Sequence, residues 1–258
     1  MAIAVITGAS TGIGREFAHV CADHGYDLVL VARSAEALEG VAAGVRGRSG
    51  RNVRIAALDL SAIDAAAKLW DALSDVAADI EMLINNAGFG LTGFFSELDA
   101  GKQMEMVQLN IGALTHLTRL FLPSMVARRK GYILNVASTA AFQPGPLMAV
   151  YFASKAYVVS FSEALHNEVR GHGVIVTTLC PGPTRTEFQS RAGMHASKLF
   201  SGPNVMDARR VAEIGFRAME DGKSLVVAGR LNAVTVFLTR FAPRQLAASI
   251  ARKLSEHA

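Results

Sequence analysis

The chain has 258 residues and a formal net charge of +4, and it is 51% hydrophobic and 19% charged. This composition is typical of a globular protein with a sizeable core and excludes an intrinsically disordered segment. No apolar run approaches the roughly 18 residues of a membrane-spanning helix. The seven histidines are scattered and predict no metal site. The two cysteines, Cys21 and Cys180, predict no disulfide framework.

Short β-branched runs alternate along the chain with longer alanine-rich stretches. We predict strands over residues 2–7, 27–32, 52–58, 80–85, 131–137, 173–180 and 224–228. We predict helices over residues 12–25, 35–47, 61–77, 100–129, 150–171 and 207–221. Almost continuously apolar strands that alternate with helices are typical of a parallel sheet buried on both faces. The prediction is therefore an α/β fold of the Rossmann type, a doubly wound parallel seven-stranded sheet, in one domain over residues 1–229.

The first predicted strand leads into a glycine-rich turn, TGASTGIG, that opens the first helix. Gly8, Gly12 and Gly14 let the backbone turn tightly and approach a ligand. The free N–H groups of the following helix suit a pyrophosphate. A P-loop would end in Gly-Lys-Ser/Thr, whereas Gly14 is followed by Arg15, and the spacing also differs from GxGxxG. The pattern predicts a dinucleotide-binding loop, with a glycine turn that binds nothing as the alternative.

Further motifs follow in order along the chain. They are NNAG at 85–88, Asn110 in the long fourth helix, Ser138 after the fifth strand, YFASK at 151–155 and a Pro-Gly turn at 181–182. With the glycine loop, this set resembles the short-chain dehydrogenases/reductases over about residues 1–228. The sequence around YFASK is similar to that of a broad bacterial subgroup of these enzymes. The resemblance implies an oxidoreductase that uses a nicotinamide dinucleotide.

The end of the second predicted strand bears on the choice of nicotinamide cofactor. Dinucleotide folds often place an acid there to bind the adenosine ribose, whereas an arginine nearby accommodates a 2′-phosphate. Ala32 occupies that position here, and Arg33 follows it. A guanidinium binds a phosphate bidentately and a carboxylate would repel it. We therefore predict NADP(H), with a merely solvated Arg33 as the alternative.

The resemblance also implies where the rest of the cofactor lies. Asp59 follows the third strand and is implied beside the adenine, where its alternative role is a helix cap. The whole implied set of cofactor contacts is Gly8, Ser10, Thr11, Gly12, Ile13, Gly14, Arg33, Asp59, Leu60, Asn86, Ala87, Gly88, Tyr151, Lys155, Pro181, Gly182, Thr184 and Thr186.

Tyr151 and Lys155 are four residues apart and therefore share one face of a helix. A nearby ammonium favours a phenolate, so we expect Lys155 to lower the pKa of Tyr151 once a cofactor and a closed pocket desolvate the pair. The resemblance implies that Tyr151 is the general acid or base, that Ser138 hydrogen-bonds the reacting oxygen, and that Lys155 holds the nicotinamide ribose. It also implies that Asn110 holds a water linked to the lysine.

Residues 187–206 lie where the resemblance implies a substrate lid. Candidates for an apolar pocket wall are Phe188, Met194, Leu199 and Phe200, with Phe89, Phe94, Phe95 and Phe142 from elsewhere, although core packing is the alternative for each. Arg185, Arg191 and Lys198 could attract an acidic carrier such as a CoA thioester, or they could be solvated surface charges.

Residues 230–258 form a separate C-terminal tail that departs from the resemblance. Five basic residues, Arg230, Arg240, Arg244, Arg252 and Lys253, face one acid, Glu256. Because the whole chain holds 26 basic and 22 acidic residues, the other 229 residues are balanced at 21 each. That balance argues against nucleic-acid binding by the body. Apolar tail residues at helical spacing predict amphipathic helices that lie on a membrane, pack on the body, cover the active site or bury against another subunit.

The leading hypothesis is an NADPH-dependent carbonyl reductase that acts on a small or medium apolar ketone or aldehyde. The alternatives are an NADP-dependent alcohol dehydrogenase that acts on a hydroxy acid or amino alcohol, and a protein that senses NADP(H) without turnover. The resemblance implies a homodimer or homotetramer paired through the helices that hold Asn110 and Tyr151. The first apolar stretch, from Ala2, has no basic leader. We therefore expect no signal peptide and a cytoplasmic protein.

Overall fold

Seven parallel strands form the central sheet in the computed structural model, which describes residues 2–193 and 205–255. The strands within the described ranges are, in chain order, β1 Ile3–Thr7, β2 Asp27–Ala32, β3 Val53–Ala57, β4 Ile80–Asn85, β5 Gly131–Val136, β6 Val174–Cys180, β7 Thr184–Arg185, β8 Met206–Asp207 and β9 Leu225–Val227. The sheet order is β3-β2-β1-β4-β5-β6-β9, and β7 and β8 form a separate parallel pair. The predicted α/β fold with a doubly wound, seven-stranded parallel sheet is confirmed.

Helices cover both faces of this sheet. In chain order they are α1 Gly12–Asp23, α2 Ala35–Ser49, α3 Ala65–Ala72, α4 Ala100–Val107, a π-helical segment Gln108–Ala113, α5 Leu114–Arg128, a 3₁₀ turn Thr139–Phe142, α6 Ala149–Glu168, α7 Phe188–Arg191, α8 Ala208–Glu220, α9 Arg230–Thr239 and α10 Arg244–Ser255. None of the helices in the described ranges is long and apolar enough to cross a membrane.

Alternate residues of the strands enter two separate cores. Ile6 and Leu30 pack with Phe17 of α1 on one face of the sheet. Val5 and Val29 belong to the core on the other face. Because side chains alternate between the faces and both faces are covered, nearly every strand residue has to be apolar. This is the physical reason for the continuous apolar runs in the sequence.

Two predicted helices differ from the observed ones. The predicted helix over 61–77 is reduced to α3, because Ser61 hydrogen-bonds the carboxylate of Asp59 in a turn before the helix begins. The predicted helix over 100–129 is interrupted by the π-helical segment, which contains Asn110. Segments of this kind are rare and are found often at functional sites.

A buried polar network joins β4 and β5 to the helices that carry the site. The side-chain amide of Asn85 donates to Thr118 Oγ1 at 3.1 Å and to Asn135 Oδ1 at 2.9 Å. Asn135 in turn donates to Ser162 Oγ at 2.8 Å. Because Thr118 lies on α5 and Ser162 on α6, the network holds both helices against the sheet. Asn85 is thus the last residue of a buried strand rather than a turn residue.

Candidate active site

The carboxyl ends of the strands open into a cleft with a volume of about 380 Å³. It lies where the strand order reverses, between β1 and β4, which is where open α/β sheets bind ligands. The predicted site residues that line it are Gly8, Ser10, Thr11, Gly12, Ile13, Arg33, Asp59, Leu60, Asn86, Ala87, Gly88, Ser138, Tyr151, Lys155, Pro181, Gly182, Thr184 and Thr186. Gly14 and Asn110 do not line the cleft and lie directly behind its wall.

The glycine loop between β1 and α1 leaves no room for side chains. Gly8 and Gly12 have positive φ angles of 64° and 53°. A Cβ on Gly14 would lie 2.2 Å from the carbonyl oxygen of Gly8, and a Cβ on Gly8 would lie 2.9 Å from Cα of Ala87. The loop and the start of α1 therefore form a cradle lined by backbone, which suits a pyrophosphate. The residues present fit a nicotinamide dinucleotide.

Thr7 and Asn86 brace this cradle from β1 and β4. Thr7 Oγ1 accepts hydrogen bonds from the backbone N–H groups of Asn86 at 2.9 Å and Ala87 at 3.0 Å. The side-chain amide of Asn86 donates to the carbonyl oxygens of Thr7 at 2.9 Å and Gly8 at 3.2 Å. Asn86 thus supports the shape of the loop as well as lining the cleft. Sequence reasoning missed Thr7, although this residue opens the TGASTGIG motif.

The ends of β2 and β3 form the outer part of the cleft. Arg33 is exposed and makes no hydrogen bond or ion pair within the described residues, so its guanidinium is available to a ligand. Burial by itself raises the pKa of Asp59. The net pKa is lowered, because hydrogen bonds from the backbone and hydroxyl of Ser61, with the positive charges of Arg33 and Lys102, outweigh the effect of burial. A carboxylate at Asp59 and a cation at Arg33 therefore lie at the same end of the cleft.

Tyr151 and Lys155 lie one turn apart on α6, and both are buried, with 9% and 6% of their surface exposed. Lys155 Nζ donates a 2.9 Å hydrogen bond to the carbonyl oxygen of Val136, the last residue of β5. The same nitrogen lies 5.8 Å from the centroid of the Tyr151 ring. The end of β5 therefore holds the ammonium inside the cleft beside the phenol.

Burial controls the pKa values of Tyr151 and Lys155 in the structure, and the lowering of the Tyr151 pKa expected once a cofactor closes the pocket stays a prediction. Burial raises the pKa of Tyr151 to about 12, against a smaller opposing effect of a hydrogen bond with Ser138. Burial also lowers the pKa of Lys155 to about 8. Desolvation penalises both the phenolate and the ammonium and is the largest cause of each shift. The phenol is protonated at neutral pH and is prepared to donate its proton.

Ser138 follows β5 and is tied to the Pro-Gly turn that follows β6. Its Oγ accepts from the Ala140 N–H at 3.1 Å and donates to the Pro181 carbonyl oxygen at 3.5 Å. The Thr139 N–H also donates to the Pro181 carbonyl oxygen, at 2.8 Å. These bonds hold the serine hydroxyl on the same side of the cleft as Tyr151.

The loop after the Pro-Gly turn reaches the glycine loop. Thr184 Oγ1 donates to the carbonyl oxygen of Gly182 at 2.9 Å. A Cβ on Gly12 would lie 3.0 Å from Cβ of Thr186. The two loops are thus in close contact, and together they enclose the part of the cleft between the glycine cradle and Tyr151.

Asn110 acts from behind the wall of the cleft. Its Nδ2 donates to the Phe89 carbonyl oxygen and to Ser154 Oγ, both at 3.0 Å, and its Oδ1 accepts from the Phe89 N–H at 3.2 Å. A Cβ on Gly88 would lie 2.9 Å from Asn110 Oδ1 and 3.5 Å from Lys155 Nζ. Asn110 therefore positions the chain after β4, and the predicted water link to Lys155 stays a prediction.

An apolar wall adjoins Tyr151. The ring of Phe188 lies 5.3 Å from that of Tyr151, and a Cβ on Gly90 would lie 3.0 Å from Phe188 and 3.1 Å from Met148. Further wall residues that the sequence did not single out are Phe152, Glu105 and Glu187. Phe152 could have been found from its place inside YFASK, whereas nothing local distinguishes Met148 or the two acids.

The remaining residues predicted for the pocket wall do not all line the cleft. Phe89 lines the cleft, but Phe94 and Phe95 are exposed. Phe142 packs against the hydrophobic cluster around Val158 instead, because the 3₁₀ turn directs it away from the cleft. The rest of the predicted lid lies outside the described residues, including Met194, Lys198, Leu199 and Phe200.

Comparison with known proteins identifies the family. Residues 2–196 match the family model of the short chain dehydrogenases. The chain is 38% identical over 183 residues to 17-beta-hydroxysteroid dehydrogenase type 3 of Mus musculus, covering 69% of this chain and 58% of the relative. It is 35% identical over 182 residues to the very-long-chain 3-oxoacyl-CoA reductase of Rattus norvegicus, with the same coverage of 69% and 58%. The matched region thus spans little more than half of these curated relatives.

Solved structures agree with this result over nearly the whole chain. A short-chain dehydrogenase from Sphingobium yanoikuyae in complex with NADPH has a TM-score of 0.83 and 31% identity, over 95% of this chain and 97% of the other. A short-chain dehydrogenase/reductase from Burkholderia phymatum in complex with NAD has a TM-score of 0.83 and 28% identity, over 97% and 95%. The chain belongs to the short-chain dehydrogenase/reductase family of oxidoreductases.

Proposed function

We propose that the protein is an NADPH-dependent carbonyl reductase for ketones or aldehydes on apolar molecules. The observation that carries the proposal is the grouping of Tyr151, Ser138 and Lys155 in one cleft with the glycine cradle. Bound NADPH would supply the hydride for the carbonyl carbon. The chain itself has to hold the carbonyl, supply a proton and exclude water.

The proton comes from Tyr151 in this proposal. Its pKa of about 12 keeps the phenol protonated, so it can act as general acid toward the oxygen of the carbonyl. Ser138 would donate a hydrogen bond to the same oxygen as negative charge develops there. Lys155, held by Val136, would contact the nicotinamide ribose and place a positive charge beside the phenol as the proton leaves.

An apolar substrate is supported by the wall beside Tyr151. Phe188, Met148 and Phe152 give that wall a hydrophobic surface, and such lining favours ligands with few polar groups. The named activities of the two curated relatives concern a steroid and a very long acyl chain, which are both largely apolar. A small or medium apolar ketone is the simplest substrate of this class.

NADPH rather than NADH is supported by Arg33. Its guanidinium has no ion pair within the described residues and lies at the outer end of the cleft, beside Ala32, where an acid would favour NADH. A 2′-phosphate would make charge-assisted hydrogen bonds to Arg33, whereas the ribose of NADH offers no such charge. The two solved structures hold NADPH and NAD, so residues of this chain have to carry the preference.

Fluorescence titration with NADPH and NADH tests this proposal. We expect NADPH to bind at least about 10-fold tighter, and Arg33→Ala to weaken NADPH about 10-fold to 100-fold with NADH unchanged. The matched control is Arg51→Ala, because Arg51 hydrogen-bonds Gly25 at the opposite edge of the sheet. Equal affinities for the two nucleotides in the parent protein would refute the NADPH preference. Failure to consume NADPH with a panel of steroid, 3-oxoacyl and aryl ketones would refute the reductase activity.

We also propose a cytoplasmic homodimer or homotetramer that pairs through α5 and α6. The free, buried thiols of Cys21 and Cys180 support a reducing compartment. Analytical ultracentrifugation of the purified protein measures the oligomeric state directly.

A further inference from the structure

The first tail helix, α9, is amphipathic, but its large apolar side chains face away from the body of the protein. The face that packs on the body carries Asn232 and Val236, which are buried. The outward face carries the large apolar side chains, and their exposed fractions are 61% for Leu231, 54% for Val234, 54% for Phe237, 58% for Leu238 and 73% for Phe241. A surface helix normally turns its apolar side toward the core. This arrangement leaves a continuous apolar stripe without a partner in the described structure.

The second tail helix, α10, also exposes apolar side chains. It packs on the rest of the protein through two small residues, Ala247 and Ala251, which are buried. Leu246 and Ile250, one turn apart, are each about half exposed. Exposed large apolar side chains grouped on neighbouring elements in this way mark a site of interaction. The stripe on α9 and these two residues are called the apolar tail face below.

Basic residues accompany the apolar residues along both tail helices. Arg230, Arg240, Arg244, Arg252 and Lys253 are all exposed. Residues 230–255 contain no aspartate or glutamate. The rest of the chain up to residue 229 carries equal numbers of basic and acidic residues, so the net charge of the protein is concentrated on these helices.

We propose that the apolar tail face docks on the surface of an anionic lipid bilayer. Amphipathic helices rich in Lys and Arg lie in the plane of a bilayer, with aromatic and aliphatic side chains below the headgroups and basic residues against anionic lipids. A second copy of the chain is a poorer occupant. The excess of basic residues on these two helices complements anionic headgroups, whereas symmetric pairing of two such faces would bring like charges together.

The docking surface adjoins the cleft. Asn232, in the first turn of α9, donates to the Ala228 carbonyl oxygen at 2.8 Å, and a Cβ on Gly182 would lie 2.4 Å from its side-chain amide. Gly182 lines the cleft, so a docked enzyme would hold its cleft close to the bilayer. If the proposed function is correct, an apolar ketone dissolved in the bilayer would be concentrated there. The docking itself does not depend on that function.

Co-sedimentation of the full chain with vesicles tests the proposal. The vesicles are phosphatidylglycerol mixed with phosphatidylcholine, or phosphatidylcholine alone. We expect at least about 10-fold stronger binding to the anionic vesicles, weakened by salt because the attraction is partly electrostatic. Phe237→Ser with Phe241→Ser, and separately Arg240→Glu with Arg244→Glu, should each weaken binding at least about 10-fold.

Two matched controls separate docking from general surface effects. Ile63→Ser removes a large exposed apolar side chain, 83% exposed, from the turn before α3, and Arg170→Glu reverses an exposed charge after α6. Both should bind anionic vesicles like the parent protein. Titration with NADPH shows that each variant is folded.

Three outcomes would overturn the proposal. The first is no binding of the parent protein to anionic vesicles. The second is equal loss of binding in the control variants. The third is a parent oligomer that dissociates in the Phe237→Ser, Phe241→Ser variant, because a second copy of the chain would then cover the apolar tail face.

Discussion

Lys155 Nζ lies 5.8 Å from the centroid of the Tyr151 ring while donating a 2.9 Å hydrogen bond to Val136. The strand end, rather than the phenol, is therefore the direct hydrogen-bond partner of the ammonium. Burial moves the pKa of each group toward its neutral form, to about 12 for Tyr151 and to about 8 for Lys155. The predictions below follow from this pair and from the glycine loop.

Tyr151→Phe should abolish carbonyl reduction without loss of cofactor binding. The ring and its packing remain, and only the proton donor is removed, so we expect kcat to fall about 10²-fold to 10⁴-fold. The matched control is Tyr157→Phe, because the Tyr157 hydroxyl bonds Thr115 outside the cleft. Steady-state kinetics and NADPH titration of both variants provide the measurement. Retained turnover in Tyr151→Phe would remove Tyr151 from the mechanism.

The rate of reduction should depend on the protonation of Lys155. Its pKa is about 8, so the ammonium is lost as pH rises through that value, while Tyr151, with a pKa of about 12, stays protonated. We expect kcat/KM for reduction to fall above about pH 8. A profile of kcat/KM against pH checks this, and a profile that stays flat to pH 10 would contradict it.

Lys155→Met should stabilise the fold while it abolishes activity. Burial lowers the pKa of Lys155 from 10.5 to about 8, so at neutral pH holding its proton costs about 3 kcal/mol of folding free energy. The variant also loses the hydrogen bond to Val136, which lowers its free energy of unfolding by about 1 kcal/mol. We expect a net gain of about 2 kcal/mol in the free energy of unfolding at pH 7, measured by urea denaturation.

The pH dependence of that gain supplies a control. Because the folded pKa of Lys155 is lower than the unfolded one, the unfolded chain binds more protons between pH 8 and 10.5. The parent protein should therefore recover stability relative to Lys155→Met as pH rises through that window. A difference between the two proteins that is the same at pH 7 and pH 10 would show that the buried charge is not its cause.

Gly14→Ala should disrupt the cradle, whereas Gly40→Ala should not. The new Cβ at position 14 would lie 2.2 Å from the Gly8 carbonyl oxygen, but nothing lies within 4 Å of one at position 40 on α2. We expect Gly14→Ala to lower the free energy of unfolding by about 1–3 kcal/mol and to weaken NADPH binding at least about 10-fold. Gly40→Ala should raise the free energy of unfolding by about 0.5–1 kcal/mol. Thermal denaturation and NADPH titration of both variants decide this, and normal NADPH binding by Gly14→Ala would contradict the cradle.

The fold was predictable because the apolar pattern of each strand in the sequence matches the burial of that strand in the structure. Strands buried on both faces have to be apolar at nearly every position, so β1 and β2 were visible in the sequence to within a residue or two. Helix ends were less predictable. The turn made by Ser61 and Asp59 and the π-helical segment around Asn110 depend on side-chain hydrogen bonds that periodicity does not encode.

By itself, the sequence determined the class of sheet, the glycine loop and the spacing of Tyr151 and Lys155, because each is a local property of a few neighbouring residues. Only the tertiary structure decided the properties that depend on distant neighbours. Burial set the direction of both pKa shifts, and packing placed Asn110 behind the cleft wall. Packing also chose which side of α9 faces outward, because Asn232 fits against Gly182 and thereby turns Phe237 and Phe241 to the solvent.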